Sequence, residues 1–404
     1  SFRCFPSGCT YLSITEKSNI SRKLLMIPGP SECFQEVLSS MSEPPPAHYM
    51  DDFVAIYDEV ITLLKQVFGT RGDVFLITGS GSAGLEASIT SLIEPGEKVI
   101  SDEYYLKFLQ AIGAKPIMLQ RGRGEAITAD MIEKILRREQ DICAIAVAHN
   151  DTAQGLTNPI DEISEVAKKY SVLLIIDAVS SFGGIPIKFD DWGIDICSSA
   201  SQKALSIPPG LVPIAVSRYA WEKIMNRKNP IPSRYLNLLT YREAHEQYGS
   251  WHPTPFTTSP TLVKALLVSL RKLMAEGLNN VYERHAKTAM AVREAVKSAG
   301  FKLLVMDEKY SSNTVTAVRW PDGYDYRKFW NLLYRKYNVM IGNPPAQWEA
   351  WPIFKDSFRI GHMGRTAMRD YVLSTISAIE KALIDINYPI KKGVMTEMVE
   401  AILT

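Results

Sequence analysis

Leu173-Leu174-Ile175-Ile176-Asp177-Ala178-Val179-Ser180-Ser181 is the stretch that decides the fold. Four consecutive apolar residues bounded by turn formers suit a strand buried on both faces of a parallel sheet. Asp177 then falls at its C-terminal end, where α/β ligand sites lie. A carboxylate in that place calls for a cationic partner. Further along, Ser198-Ser199-Ala200-Ser201-Gln202-Lys203-Ala204-Leu205, closed by Pro208-Pro209-Gly210, sets one lysine among small residues, between the apolar segments 194–197 and 211–216. Partial desolvation in such a turn lowers a lysine's pKa and makes its amine a nucleophile able to form a Schiff base.

A lysine Schiff base with an acid on a pyridinium nitrogen is the arrangement that pyridoxal 5'-phosphate requires. Singly, neither residue says much. The chain holds 45 lysines and arginines, and an aspartate ending a strand is usually a cap or turn residue. In their local wording they are specific. Asp177-Ala178-Val179-Ser180-Ser181, Ser201-Gln202-Lys203-Ala204 and Pro208-Pro209-Gly210 closely resemble the class V aminotransferases of pyridoxal-phosphate fold-type I, especially the alanine–glyoxylate and serine–pyruvate group. The resemblance runs from about Leu24 to the C-terminal helix. It implies an α/β fold-type I transferase, with a large domain around a mainly parallel seven-stranded sheet and a smaller C-terminal α/β domain. It also implies a homodimer with shared active sites, acting on small amino acids and 2-oxo acids. On this reading residues 1–23 are a tail, 24–276 the large cofactor-binding domain and 277–404 the small domain.

A chain of 404 residues with 46% hydrophobic content can bury a large core. Its 45 basic and 44 acidic residues leave a formal charge of +1, which argues against nucleic acid or an anionic membrane as the main partner. Cys4, Cys9, Cys33, Cys143 and Cys197 are scattered, odd in number and without metal-ligand spacing, as expected of reduced thiols in a cytoplasmic protein. No apolar run approaches the roughly 18 residues of a membrane span. The start, Ser1-Phe2-Arg3-Cys4-Phe5, lacks a signal core; its Ser/Arg content and lack of early acids leave an organellar transit peptide as an alternative to a tail.

Along the chain, Pro28-Gly29-Pro30 is a proline-fixed turn, and the resemblance implies that Gly29 lines the substrate site through its backbone. Residues 53–68 carry an apolar stripe at helical spacing, with Gly69 placed to cap the helix. After the strand-like segment 74–78 comes Gly79-Ser80-Gly81-Ser82-Ala83-Gly84. These glycines match G-x-G-x-x-G, and Asp102 stands about 20 residues on, so a dinucleotide oxidoreductase is a rival reading. That reading leaves Lys203 and Asp177 without a task, and such fingerprints normally open a domain's first βαβ unit. With pyridoxal phosphate, the backbone N–H groups of Ser80, Gly81 and Ser82 at a helix start face the phosphate.

Between residues 98 and 116 the chain is several residues shorter than the resembled family, whose loop there stacks an aromatic ring on the cofactor. Tyr105 is the expected stacker, followed by Tyr104. The resemblance further implies a cofactor-bonding hydroxyl at Thr152, cofactor contacts at Val179 and Gln202, and a segment around Trp251 and Thr254 that reaches the partner subunit's cofactor phosphate. Many members carry tyrosine where Trp251 stands, and an indole offers only one N–H donor. Residues 263–273 form an amphipathic helix expected to join the domains, and residues 315–320 alternate like a half-exposed strand. In Phe358-Arg359-Ile360-Gly361-His362, the family arginine grips the substrate α-carboxylate, a task suited to a planar fork of donors. The reaction expected is transfer of an amino group from alanine or serine to glyoxylate or pyruvate. Ureidoglycine and pyridoxamine aminotransferases of the same group, same-fold lyases and a non-catalytic binding protein are the alternatives. A desulfurase would need a mobile cysteine, whereas Cys143 and Cys197 read as strand residues.

Overall fold

The computed structural model describes residues 22–404. Cys4, Cys9 and the tail or transit-peptide reading lie outside the described residues. The chain begins with a short strand, β1 (Leu24–Met26), and then builds the large sheet. That sheet holds β2 (Asp73–Gly79), β3 (Lys98–Ser101), β4 (Lys115–Met118) and β5 (Ile142–Ala148). A small ladder of β6 (Asn150–Asp151) and β7 (Leu156–Thr157) interrupts it before β8 (Leu173–Asp177), β9 (Ile196–Ser198) and β10 (Gly210–Val216). The seven strands lie in the order β2-β10-β9-β8-β5-β3-β4, and only β10 runs against its neighbours. Gly79 pairs with Gly210, Asp177 with Ser198 and Ala148 with Asp177, so these residues share one edge of the sheet.

Both faces of this sheet are covered, which is why its strands are continuously apolar. Val74, Leu76, Ile145, Val147, Leu174 and Ile176 face one core with the helices Asp51–Phe68 and Pro260–Glu276. Phe75, Ile77, Ala144, Ala146, Ile175 and Ile214 face the other with the helix Gly81–Leu92. Each fully buried aliphatic side chain contributes about 1.5–3 kcal/mol. Gly69 does end the helix Asp51–Phe68, at φ 67°, where a side chain would be strained.

The helix Pro260–Glu276 starts at Ser259, whose hydroxyl accepts from Leu262 N, and ends at Gly277, where the helix Leu278–Ser298 carries the chain into the second unit. There β11 (Val315–Arg319) pairs antiparallel with β13 (Ser357–Gly361), and β12 (Val339–Ile341) pairs with β1. Two sequence expectations change. Val315, Thr316, Ala317 and Val318 are all buried, because β11 lies under the helix Leu278–Ser298 and not at a wet face. Met26 belongs to the smaller unit's core with Val292, Phe329, Phe358 and Ile379, so the chain crosses that unit before it builds the larger one. No helix of the described residues is long and apolar enough to cross a membrane.

Candidate active site

Asp177 ends β8 and accepts a 2.7 Å hydrogen bond at Oδ1 from Val179 N. The surrounding protein pushes its carboxyl up to about 6, against the pull of that bond and of the Lys203 charge. Lys203 follows β9, the neighbouring strand. Its ammonium donates to Pro28 O, and burial, reinforced by the charge of Arg359, brings its pKa down to about 8. Both side chains are only partly buried. Gly29 is where the backbone closes on the lysine: at φ 115°, a Cβ there would stand 2.7 Å from Lys203 Cδ. Ser31 anchors the segment from the other side, with its N–H 2.8 Å from Gln202 O and its hydroxyl 2.5 Å from Lys203 O.

The glycine-rich turn comes to the same sheet edge. Ser80 caps the helix Gly81–Leu92 through its backbone, and its hydroxyl takes no part in the cap. A Cβ on Gly81 would meet Val179 Cγ2 at 2.8 Å, and one on Gly84 would meet Val212 Cγ1 at 2.6 Å, so the glycines let the helix start nest against β10 and the Asp177 turn. Gln202 Oε1 and the hydroxyls of Ser198 and Ser199 are buried with no hydrogen-bond partner among the described residues. Of these the serine hydroxyls are donors that suit an anionic group, and Ser198 Oγ lies beside Gly84 in the first turns of the helix Gly81–Leu92, whereas Gln202 Oε1 is an acceptor that calls for a donor. Asp102, the ribose-binding acid of the dinucleotide reading, is turned inward: Ala148 N and Tyr104 N donate to it at 2.6 and 3.0 Å, and burial lifts it to about 7.

Arg359 arrives from the other unit on β13 and is 8% exposed. Its Nη1 donates to Thr152 O at 2.8 Å, its Nε to Asn343 Oδ1 at 2.5 Å, and the Phe354 ring lies 4.4 Å from its carbon centre. Burial brings its pKa down to about 10, with Tyr104 and Asp151 opposing the fall. Thr152 thus touches the site by its backbone carbonyl, and its loop is held by Asp151. That carboxylate accepts from Tyr104 Oη at 2.8 Å, Arg121 Nη2 at 2.6 Å, and the backbone of Ala153 and side chain of Gln154.

Tyr105 is not where the shortened loop led us to expect it. The next residue starts the helix Leu106–Ala111, which rotates Tyr105 to 0% exposure among Leu109, Ile175 and Ile196, with no ring face free for stacking. Tyr104 is the residue turned toward Asp151 and Arg359. Trp251 is half exposed and packs edge-on against His252, while Thr254 is buried and donates to Phe256 O at 2.8 Å. Their segment meets the site's sheet edge through Thr258 Oγ1, 3.1 Å from Thr78 Oγ1. Asn343, Asp151 and Arg121 were not singled out from sequence. Gly342-Asn343-Pro344-Pro345 reads as an ordinary turn, and nothing local connects it to Arg359.

A lysine with a lowered pKa and a strand-end carboxylate lie on one wall and a partly unpaired arginine on the other, an arrangement able to condense an amine with a carbonyl and to hold an acid. The class-V aminotransferase family profile matches residues 48–343. The chain is 37% identical over 383 residues to an uncharacterized aminotransferase of Methanocaldococcus jannaschii, covering 93% of this chain and 97% of that one. It is 31% identical over 386 residues to the serine–glyoxylate aminotransferase of Methylorubrum extorquens, covering 92% and 94%. The crystal structure of ureidoglycine–glyoxylate aminotransferase from Bacillus subtilis superposes with a TM-score of 0.87 at 27% identity, covering 94% of this chain and 98% of that one. The protein belongs to the class-V aminotransferase family; it has the fold-type I architecture and is a transaminase.

Proposed function

We propose that the protein uses pyridoxal 5'-phosphate to move an amino group from alanine or serine to glyoxylate or pyruvate. The observation that carries the proposal is the placement of Lys203, Asp177 and Arg359 around one space, with Lys203 brought down to about 8. Bound there, the cofactor would supply an aldehyde for the substrate amine and a ring that takes up the electron pair released at Cα. Asp177 would hold a proton on the ring nitrogen, and that positive partner favours the ionised carboxylate that burial disfavours. Gln202, Val179, Thr152 and the helix start at Ser80, Gly81 and Ser82 would hold the rest of the group. Lys203 Nζ takes the proton from the substrate's Cα and returns it on the far side of the transfer. Arg359 holds the α-carboxylate, which fixes the Cα–H bond within reach of that amine.

Two features favour small substrates and a transaminase. Arg121 is paired with Asp151 and Arg123 donates to Lys355 O and Ser357 Oγ, which leaves both poorly placed to receive a second substrate carboxylate. Burial raises the Cys143 thiol to about 12 and the Cys33 thiol to about 11, and it also raises Cys197 well above the usual thiol value, so these thiols are poor nucleophiles for a desulfurase. Cys33, Cys143 and Cys197 are free, in keeping with a reducing compartment such as the cytoplasm. Trp251, half exposed on an aromatic patch with Tyr49 and His252, supports a homodimer in which this segment completes the partner's site.

A single-turnover panel tests the reading: amino acids against the pyridoxal form and oxo acids against the pyridoxamine form, followed by absorbance. Alanine, serine, glyoxylate and pyruvate should react fastest. Preferred turnover of glutamate and 2-oxoglutarate would overturn the small-substrate assignment, and preferred turnover of ureidoglycine or pyridoxamine would move the enzyme to those branches.

A further inference from the structure

Asn343 is fully buried, and its backbone, at φ 62°, lies in the left-handed region that asparagine tolerates. An amide this buried needs partners, and it finds them at both ends. Nδ2 donates to Ser357 O and Ser357 Oγ, each at 3.1 Å, which leaves Oδ1 as the atom facing Arg359 Nε at 2.5 Å. The backbone around it is pinned as well. Tyr326 Oη donates to Asn343 O at 2.6 Å, and Gly342 N donates to Arg359 O at 2.8 Å. A Cβ at Gly342 would come within 3.1 Å of Arg359 Cβ, so the turn and the arginine stem are in close contact.

The consequence lies in which donors of the guanidinium remain. Nε is spent on Asn343, one hydrogen of Nη1 on Thr152 O, and one face is covered by Phe354. Nη2 has no hydrogen-bond partner among the described residues. Asn343 on Nε thus closes the Nε–Nη2 edge to a carboxylate seeking two parallel bonds, and leaves it Nη2 and the second hydrogen of Nη1. We infer that Asn343 is a positioning residue, which selects the edge of Arg359 that receives the substrate's α-carboxylate. This inference rests on the assignment of Arg359 as the carboxylate receptor.

Two substitutions separate positioning from structure. Asn343→Gly removes the amide while suiting the left-handed backbone, and Asn343→Asp keeps the shape but places a competing carboxylate on Nε. Propionate, an unreactive monocarboxylate, is titrated by calorimetry into the wild-type enzyme, both variants and Arg359→Ala, with thermal melts as the check on folding. Alanine saturation of the single-turnover reaction is measured in parallel. Asn343→Gly should weaken propionate and alanine binding about tenfold, as expected for loss of a bond to a charged group, with a smaller fall in the limiting rate. Asn343→Asp should weaken both by roughly a hundredfold. If Arg359→Ala abolishes propionate binding but neither Asn343 variant changes it, the positioning role is wrong and the carboxylate assignment stands. If Arg359→Ala binds propionate like wild type, the carboxylate assignment itself fails and the role of Asn343 falls with it. Should Asn343→Gly not fold, the Asn343→Asp result decides alone.

Discussion

Asp177 ends one strand and Lys203 follows the next strand of the same sheet, whereas Arg359 is held by a carbonyl from the larger unit, an amide from a turn and a phenyl ring from a neighbouring loop. The first half of the site is a by-product of a parallel sheet, whose strand ends deliver side chains to one edge at fixed spacing. The second exists only when distant segments have met. The first half should therefore govern the chemical step, and the second should govern recognition.

Substitutions that break this division are ordered by expected size. Lys203→Ala removes the amine proposed to move the Cα proton, and the half-reaction rate should fall roughly 10⁴-fold or more in a single-turnover assay. Asp177→Asn can still accept the Val179 N–H through its amide oxygen, so the fold should persist, but an amide cannot stabilise a protonated ring nitrogen. The limiting rate should fall by about 10²–10³-fold while the affinity for alanine changes little. Arg359→Lys replaces a planar fork with a point charge. The specificity for every α-carboxylate substrate should fall by about 10–100-fold, while an amine without a carboxylate, such as ethylamine, reacts as before. If Arg359→Lys instead lowers the rate with both amines equally, the division between chemistry and recognition is wrong.

A pH series sharpens the same contrast. Lys203, with a pKa near 8, is mostly ammonium below that pH and mostly free amine above it. Condensation of the apoenzyme with pyridoxal phosphate should therefore quicken about tenfold per pH unit on approach to pH 8 and level off above it. A dependence that continues to rise toward pH 10.5 would mean that burial and Arg359 do not depress this amine. The smallest effect is expected at the Trp251 segment. Thr254→Ala should slow turnover only about threefold, since one neutral hydrogen bond is lost. Mixing Lys203→Ala chains with Thr254→Ala chains should restore a site without either defect in heterodimers. A monomer in sedimentation that keeps full activity would overturn the shared-site arrangement.

The large sheet, the helix start at Gly81 and the Lys203–Asp177 pair were legible because each is written in consecutive residues: apolar runs ending in an acid, glycines between a strand and a helix, a lysine among small residues. Arg359 was legible only through its family wording, since a lone arginine in a strand is ordinarily a surface ion-pair member. Tyr105 misled because adjacent aromatics do not reveal which one a helix start will rotate into the core, and the helix Leu106–Ala111 settled that in favour of Tyr104 facing Asp151. Asn343 was silent because its only local sign is a turn. The burial of β11 was missed for a related reason, because the helix that covers it comes from earlier in the chain.

Borohydride reduction of the pyridoxal-phosphate-loaded enzyme, followed by proteolysis and mass spectrometry, reads out which lysine carries the cofactor. The protein should be yellow, lose its colour on adding alanine, and give a single reduced cofactor adduct on the peptide containing Lys203. An adduct on any other lysine, or no adduct in a protein that binds a nicotinamide dinucleotide, would contradict the assignment of Lys203.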